Sequence, residues 1–295
     1  MTVLGQSSRA STRSAIARRA LVRALTVGLI ALATPVLAAC AGNEEPEGPP
    51  PPSVAVAAGP ASFTIGGTFQ PGVNRITFNN AGERPRNAQL VRLGEGSTPR
   101  QLLDVIEAGT RWPEWATYVG GPGLTEPGRS MSYEVVLEPA QYVMLSLLPD
   151  NGGALRIQPN VVHAFLVEGE PTGAAATRPT LTVTAGRAAL EAPSTHGPGD
   201  VRLRLMNEDD TPHDVSVFAL DEGATPEDLV AYLDGRTAEA PGVFAGGVQA
   251  VEPGESGLAV LFLTAGEYAL VSLFPEPDGM TPGFQVGMIR GLTIE

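Results

Sequence analysis

The sequence predicts an all-β protein of two tandem Greek-key β-sandwiches, each with one short inserted helix. One long stretch occurs twice, and short runs of alternating apolar and polar residues recur between turn-forming residues, with 35 Gly and 27 Pro in the chain. Many short strands separated by turns are typical of sandwiches and barrels. The 295 residues are enough for about two domains of ordinary size.

The duplication is visible as residues that recur in the same order at an offset of 126 or 127. Residues 52–59 (PSVAVAAG) match residues 179–186 (PTLTVTAG). Further equivalent pairs are Asn80 and Asn207, Gly120 and Gly246, Glu126 and Glu252, Tyr142 and Tyr268, and Ser146 and Ser272. A repeating unit of this length has the size of a whole domain. We therefore predict domain 1 at residues 54–168, a linker at 169–178 and domain 2 at 179–295.

Each repeat is predicted to hold alternating strands and one helix. Residues 74–79 and 201–205 alternate apolar and polar side chains, which indicates half-buried strands. Thr98-Pro99 and Thr225-Pro226 are typical helix starts, because Thr caps free amides and Pro suits the first helical position.

Residues 1–39 are predicted to be a lipoprotein signal peptide. They carry five arginines and no acidic residue, and an apolar run ends at Leu37-Ala38-Ala39-Cys40. This ending resembles the lipobox of bacterial lipoproteins, which implies cleavage before Cys40 and lipid on its sulfur. An ordinary signal peptide or a single membrane anchor is the alternative. Cys40 is the only cysteine, which excludes structural disulfides.

Residues 40–53 are predicted to be the lipidated cysteine and a tether. Four consecutive prolines at 49–52 favour an extended, semi-rigid segment.

All 32 acidic residues follow Cys40, whereas 5 of the 19 basic residues precede it, so the exported body has a formal charge near −18. This charge argues against nucleic acid as a partner. We expect an exported body outside the cytoplasm, lipid-anchored to the cell membrane or outer membrane, with an unknown envelope protein or ligand as partner.

Two stretches of repeat 2 combine strands with turn-rich loops in a specific order. Residues 206–217 contain a strand, the motif Asn-x-x-x-x-Pro-His and a second strand, and residues 268–288 contain an apolar strand and a Pro/Gly-rich loop that ends in Gly-Met. These stretches resemble the copper-binding segments of the cupredoxin (blue copper) superfamily. The resemblance covers nearly all of the chain after the tether and implies cupredoxin-like sandwiches. In that family a His, a Cys, a His and a Met bind copper at the positions of His213, Ser272, Gly283 and Met288.

Most of these ligands are missing from the chain. Ser272 and Gly283 replace the Cys and the second His in repeat 2, while Arg86 and Ser146 replace the first His and the Cys in repeat 1. A type-1 copper site needs the thiolate, and a serine hydroxyl stays protonated at neutral pH. We therefore expect no cofactor and no metal. The alternative is a copper carrier or electron-transfer protein with an atypical site in domain 2.

The sequence also predicts a role outside catalysis. It contains no HExxH, phosphate loop or Ser-His-Asp order, so a non-enzymatic binding or structural module is expected. The aromatic stretch with Trp112, Trp115 and Tyr118 is not repeated in repeat 2, where the plainer residues 239–244 (EAPGVF) stand. Such aromatics commonly anchor protein partners, which makes them a candidate partner patch. Alternatively, they fill the edge of their own domain.

Overall fold

A computed structural model describes residues 48–108, 110–149 and 155–295. The predicted signal peptide, Cys40 and most of the predicted tether lie outside these ranges. Strand β1 begins at Ser53, the last residue of that tether. Neither α-helix within the ranges has the length and apolar content needed to traverse a bilayer.

Strands are the main regular element of the described residues, as the alternating runs predict. Repeat 1 contains β1 Ser53–Ala58, β2 Phe63–Gly66, β3 Gly72–Asn80, β4 Gln89–Leu93, β5 Ala116–Tyr118, β6 Ser130–Leu137, β7 Ala140–Pro149 and β8 Leu155–Val167. Repeat 2 contains β9 Leu181–Gly186, β10 Ala189–Glu191, β11 Thr195–His196, β12 Gly199–Asn207, β13 His213–Leu220, β14 Gly242–Val251, β15 Ser256–Leu263, β16 Gly266–Val271 and β17 Ile289–Ile294. The all-β prediction is confirmed.

One α-helix is inserted in each repeat, α1 Pro99–Ala108 and α2 Pro226–Leu233. Both begin at the predicted Thr-Pro pairs. The Thr225 hydroxyl accepts a hydrogen bond from the amide of Asp228, whose carboxylate accepts one from the Thr225 amide in return. Thr98 and Gln101 exchange the same two bonds at α1. These reciprocal bonds satisfy amides that a helix start leaves free.

Three sheets form two sandwiches that share a layer. The shared sheet has the order β10-β9-β12-β15-β6-β3-β1-β2 and therefore contains strands of both repeats. In repeat 1 the sheet β5-β4-β7-β8 packs on it, and in repeat 2 the sheet β11-β17-β16-β13-β14 does so. The described residues form one compact unit. The domain boundaries given above stay predictions.

The two repeats meet about a local two-fold axis. Tyr133 on β6 pairs directly with Ala259 on β15, and the two residues occupy equivalent positions in their repeats. Residues 132–134 accordingly pair with 258–260 in antiparallel register. Such an isologous contact is the usual geometry of a symmetric homodimer. Here the two partners are joined in one chain.

Reciprocal polar contacts extend this interface. The Glu252 carboxylate accepts from the amide of Tyr118 at 2.9 Å, and the equivalent Glu126 accepts from the amide of Phe244 at 3.1 Å. Each glutamate thus binds the backbone of the opposite repeat. The interface therefore holds the two sandwiches in one fixed relation, and loops of repeat 1 lie against loops of repeat 2.

Candidate functional site

Three of the four predicted ligand positions of repeat 2 lie at the ends of neighbouring strands, and the fourth lies in the loop between two of these strands. His213 begins β13, Ser272 follows β16, Gly283 begins a short 3-10 helix (Gly283–Val286), and Met288 precedes β17. Strand β16 pairs with both β13 and β17, so the topology gathers these positions at one end of the sheet. All four residues are buried.

Ser272, Gly283 and Met288 are in close contact. The Ser272 amide donates to the Met288 carbonyl at 3.0 Å, and the Met288 amide donates to the Gly283 carbonyl at 3.0 Å. A Cβ atom on Gly283 would lie 2.7 Å from the Ser272 hydroxyl oxygen and 3.1 Å from the Met288 sulfur. The position of the family's second histidine is therefore packed so tightly that a side chain there would force its neighbours to move.

Asp214 is the central polar group of this site, although the sequence did not place it among the predicted site residues. Its Oδ1 accepts three hydrogen bonds, from the Ser272 hydroxyl at 2.8 Å, the Leu273 amide at 2.9 Å and the Phe274 amide at 3.0 Å. Its Oδ2 is buried without a partner among the described residues. Burial raises the pKa of Asp214 to about 6, against the opposing effect of these donors. An acidic residue in the strand run HDVSVFAL was the available signal.

His213 already has a protein partner for one ring nitrogen. Its Nε2 lies 2.8 Å from the Asp209 Oδ2 and 3.3 Å from the Thr211 hydroxyl oxygen. The hydrogen bond with His213 lowers the pKa of Asp209. Asp209 and His213 lie on either side of the turn that precedes β13. The contact between their side chains holds the imidazole in place at the start of that strand.

These residues do not fit a type-1 copper site. Such a site needs a thiolate, two imidazoles and a weak axial ligand. Ser272 offers a protonated hydroxyl that donates to Asp214, and Gly283 offers no ligand atom. Within the part of the chain that the structure describes, no group of three or more His, Cys, Asp or Glu is arranged to hold a metal ion.

The equivalent site of repeat 1 contains Arg86, Asn87 and Ser146, all buried. The Ser146 hydroxyl lies 3.4 Å from the Asn87 Oδ1. The Asn87 amide nitrogen donates at 3.0 Å to Gln249, a residue of repeat 2. Asn87 thus occupies the position of Asp214 with a neutral side chain. The two repeats therefore carry different side chains at both positions, Arg86 in place of His213 and Asn87 in place of Asp214.

The predicted partner patch packs within the protein. The rings of Trp112 and Tyr118 stack with centroids 4.4 Å apart, and Tyr118 meets Phe274 edge to face at 5.0 Å. The Trp112 indole donates to the Ala116 carbonyl at 2.7 Å. Trp115 is half-buried against the same cluster. This loop of repeat 1 therefore packs on the loop of repeat 2 that follows Ser272, and contact with a partner stays a prediction.

Solved structures similar to this chain include copper proteins. Auracyanin A, a "blue" copper protein of Chloroflexus aurantiacus, is 13% identical over 39% of this chain and 99% of its own, with a TM-score of 0.26. The reduced auracyanin of Roseiflexus castenholzii is 14% identical over 39% of this chain and 94% of its own, with a TM-score of 0.27. The copper nitrite reductase of Nitrosomonas europaea is 10% identical over 82% of this chain and 93% of its own, with a TM-score of 0.24.

At such identities and TM-scores these likenesses carry no argument about the family, copper or activity of this chain. No protein-family model matches the chain, and no curated protein matches it.

Proposed function

We propose that the chain is an exported lipoprotein, anchored through lipid on Cys40, whose two repeats form a copper-free and non-catalytic binding or structural module of the cell envelope. The observation that carries the copper-free part of this proposal is the hydrogen bond that Ser272 makes. Its hydroxyl donates to the buried Asp214 where the family places a metal-binding thiolate.

The surroundings of Ser272 support the same proposal. His213 is engaged with Asp209, and Gly283 is packed against Ser272 and Met288. Converting this site to a copper site would require a thiolate, a second imidazole and room for both. The interior polar groups instead tie the loop after Ser272 to strand β13. The site therefore serves to hold that loop, and the sandwich serves as a scaffold.

Copper titration of the purified chain tests this proposal directly. We expect neither Cu(I) nor Cu(II) to bind with micromolar or tighter affinity, and no intense blue absorption to develop. The competing function, a copper carrier or electron-transfer protein, requires binding that His213→Ala or Met288→Ala abolishes. Met206→Ala is the matched control, because Met206 is a methionine of repeat 2 that lies on β12, outside the loop, and is 38% exposed. Binding that is lost in the first two variants and kept in the control would refute the copper-free module.

Detergent-phase partitioning tests the anchor separately. We expect the chain expressed in a bacterial host to enter the detergent phase and Cys40→Ser to move to the aqueous phase, since acylation supplies the membrane affinity. Incorporation of labelled fatty acid into the wild type and not into Cys40→Ser would identify the attached group. Equal partitioning of both proteins would refute the lipid anchor without bearing on copper.

A further inference from the structure

The shared sheet has an inner face, which packs on the core of both sandwiches, and an outer face. Along β6, Tyr133 and Val135 lie in the core, so Glu134 and Val136 point outward. The same alternation on β15 places Phe262 on the outer face. Because β6 and β15 are neighbours where the two repeats meet, the outer face belongs to both repeats.

The segment that joins the two repeats crosses the outer face. The Thr177 amide donates to the outward-pointing Glu134 carboxylate at 2.9 Å. One residue later, the Arg178 carbonyl accepts from the Arg202 side chain on β12 at 2.6 Å. Residues 172–180 contain one arginine and no acidic residue.

The predicted tether reaches the body at this face. A Cβ atom on Gly48, the first described residue, would lie 3.2 Å from the Gly173 carbonyl oxygen of the crossing segment. Residues 41–47 separate Gly48 from Cys40, and eight residue steps cover at most about 29 Å. A compact body of this size is roughly 45 Å across. A membrane that holds a lipid on Cys40 is therefore within reach of the outer face and out of reach of the side opposite Gly48.

Large apolar side chains are exposed on the outer face. Phe262 is 75% exposed, Val136 is 63% exposed, and Met206 at the end of β12 is 38% exposed. They are three of the seven large apolar side chains that are exposed among the described residues. Phe262 and Val136 occupy equivalent positions in the two repeats. Exposed apolar side chains gathered on one face are typical of surfaces that contact a protein or a membrane.

The outer face is also basic, in a body that is strongly acidic. Four arginines lie on its central strands β12, β15, β6 and β3 or on the crossing segment, namely Arg75, Arg178, Arg202 and Arg204. Two acidic side chains point outward from the same strands, Glu134 and Asp200. Four arginines against two carboxylates give this face a formal charge near +2, whereas the body after Cys40 is near −18.

We propose that the outer face lies on an anionic membrane surface, with Phe262 and Val136 at the level of the lipid headgroups and the arginines against lipid phosphates. This docking rests on the proposed lipid on Cys40, which holds the face at the bilayer. An anionic surface repels the acidic remainder of the body, so electrostatics favours the orientation that turns the basic face to the membrane. Arginine stems pack along apolar surface while their guanidinium groups reach phosphate oxygens.

Quenching of a fluorescent label by vesicle lipids tests the docked face on the full lipidated chain. Phe262→Cys offers one free thiol for the label, since the sulfur of Cys40 is acylated in the proposed protein. Met280→Cys is the matched control, because Met280 is also 75% exposed and lies in the loop between β16 and β17 of another sheet. In vesicles of phosphatidylethanolamine, phosphatidylglycerol and brominated phosphatidylcholine, we expect quenching at position 262 to exceed that at position 280 by at least about threefold.

Neutralising two arginines separates docking from tethering alone. Arg202→Gln/Arg204→Gln should reduce quenching at position 262 by at least about twofold, because the attraction to anionic lipid is weakened. Arg100→Gln, an exposed arginine on α1, is the control and should leave the quenching unchanged. Vesicles without phosphatidylglycerol should have the effect of the double substitution. Quenching that ignores both the double substitution and the lipid charge would overturn the role of the arginines.

Vesicle flotation reports the anchor independently of the docked face. Chains that float but show equal quenching at positions 262 and 280 would overturn the docking and leave the anchor standing. Chains that do not float would overturn the anchor and the docking together. Self-quenching of the label at position 262 that rises with protein density, without quenching by lipid, would assign the outer face to a second copy of the chain and overturn the membrane contact.

Discussion

Replacing Asp214 by asparagine should make the protein's stability less dependent on pH. Asn keeps an Oδ1 that can accept from Ser272 and the two loop amides, and it removes the buried charge. Repeat 1 already carries the neutral side chain, as Asn87, at the equivalent position. The substitution therefore keeps the shape and packing of the side chain. Its main effect is to remove the one carboxyl group that titrates at this position.

The magnitude follows from the two pKa values. Burial raises the pKa of Asp214 from 3.8 to about 6, so the folded protein holds this proton more tightly than the unfolded chain. Its contribution to stability is thus fully present below pH 3.8 and is lost as the pH rises through about 6. A difference of about two pKa units corresponds to about 3 kcal/mol. The wild type should lose that much, relative to Asp214→Asn, between pH 3.5 and pH 7.5.

Urea unfolding of both proteins at several pH values measures this difference. Subtracting the two free energies of unfolding at each pH cancels the titration of all other groups, among them Asp209. The cost of the unpartnered amide in Asp214→Asn is the same at every pH, so it offsets the difference by a constant and leaves its pH dependence unchanged. A difference between the two proteins that stays constant from pH 3.5 to 7.5 would show that Asp214 does not titrate as a buried carboxylate.

Two further substitutions test the packing of the site. Gly283→Ala should lower the free energy of unfolding in urea by about 1–3 kcal/mol, because the new Cβ would lie 2.9 Å from the Cβ of Ser272. Gly197→Ala is the control, since a Cβ there would meet no neighbouring atom within 4 Å. Equal effects of the two substitutions would contradict the close packing around Gly283. Trp112→Ala should cost about 2–3 kcal/mol through the lost stacking on Tyr118 and the lost indole bond, and an unchanged unfolding midpoint would indicate that this aromatic cluster contributes little to stability.

The sequence predicted much of the local structure because the determining residues are near each other in the chain. Thr225, Pro226 and Asp228 specify a helix start within four residues, and the helix begins there. Alternation of apolar and polar residues specified strands such as β3 and β12 for the same reason. The positions of Ser272, Gly283 and Met288 were identified from a single loop, and they are in contact.

Contacts between distant segments were not predictable in this way. The bond between Ser272 and Asp214 joins residues 58 apart in sequence, and the pairing of His213 with Asp209 depends on the conformation of a turn. For Trp112 and Tyr118 the sequence left two interpretations open, a partner patch or the filling of their own domain's edge, because nothing in their segment shows that Phe274 lies against Tyr118. Arg86 drew attention as a cation at a ligand position, but its unsatisfied donors depend on burial.

The sequence by itself determined the duplication, the strand and helix types, and the absence of a thiolate after Cys40, because each is a property of residue identity and short-range spacing. Only the tertiary structure decided that one sheet runs through both repeats, that Asp214 is buried beneath the loop, and that two donors of Arg86 are buried without a partner among the described residues. Those features arise from desolvation and from pairing between segments far apart in the chain. Burial and pairing have no counterpart in the local pattern of residues.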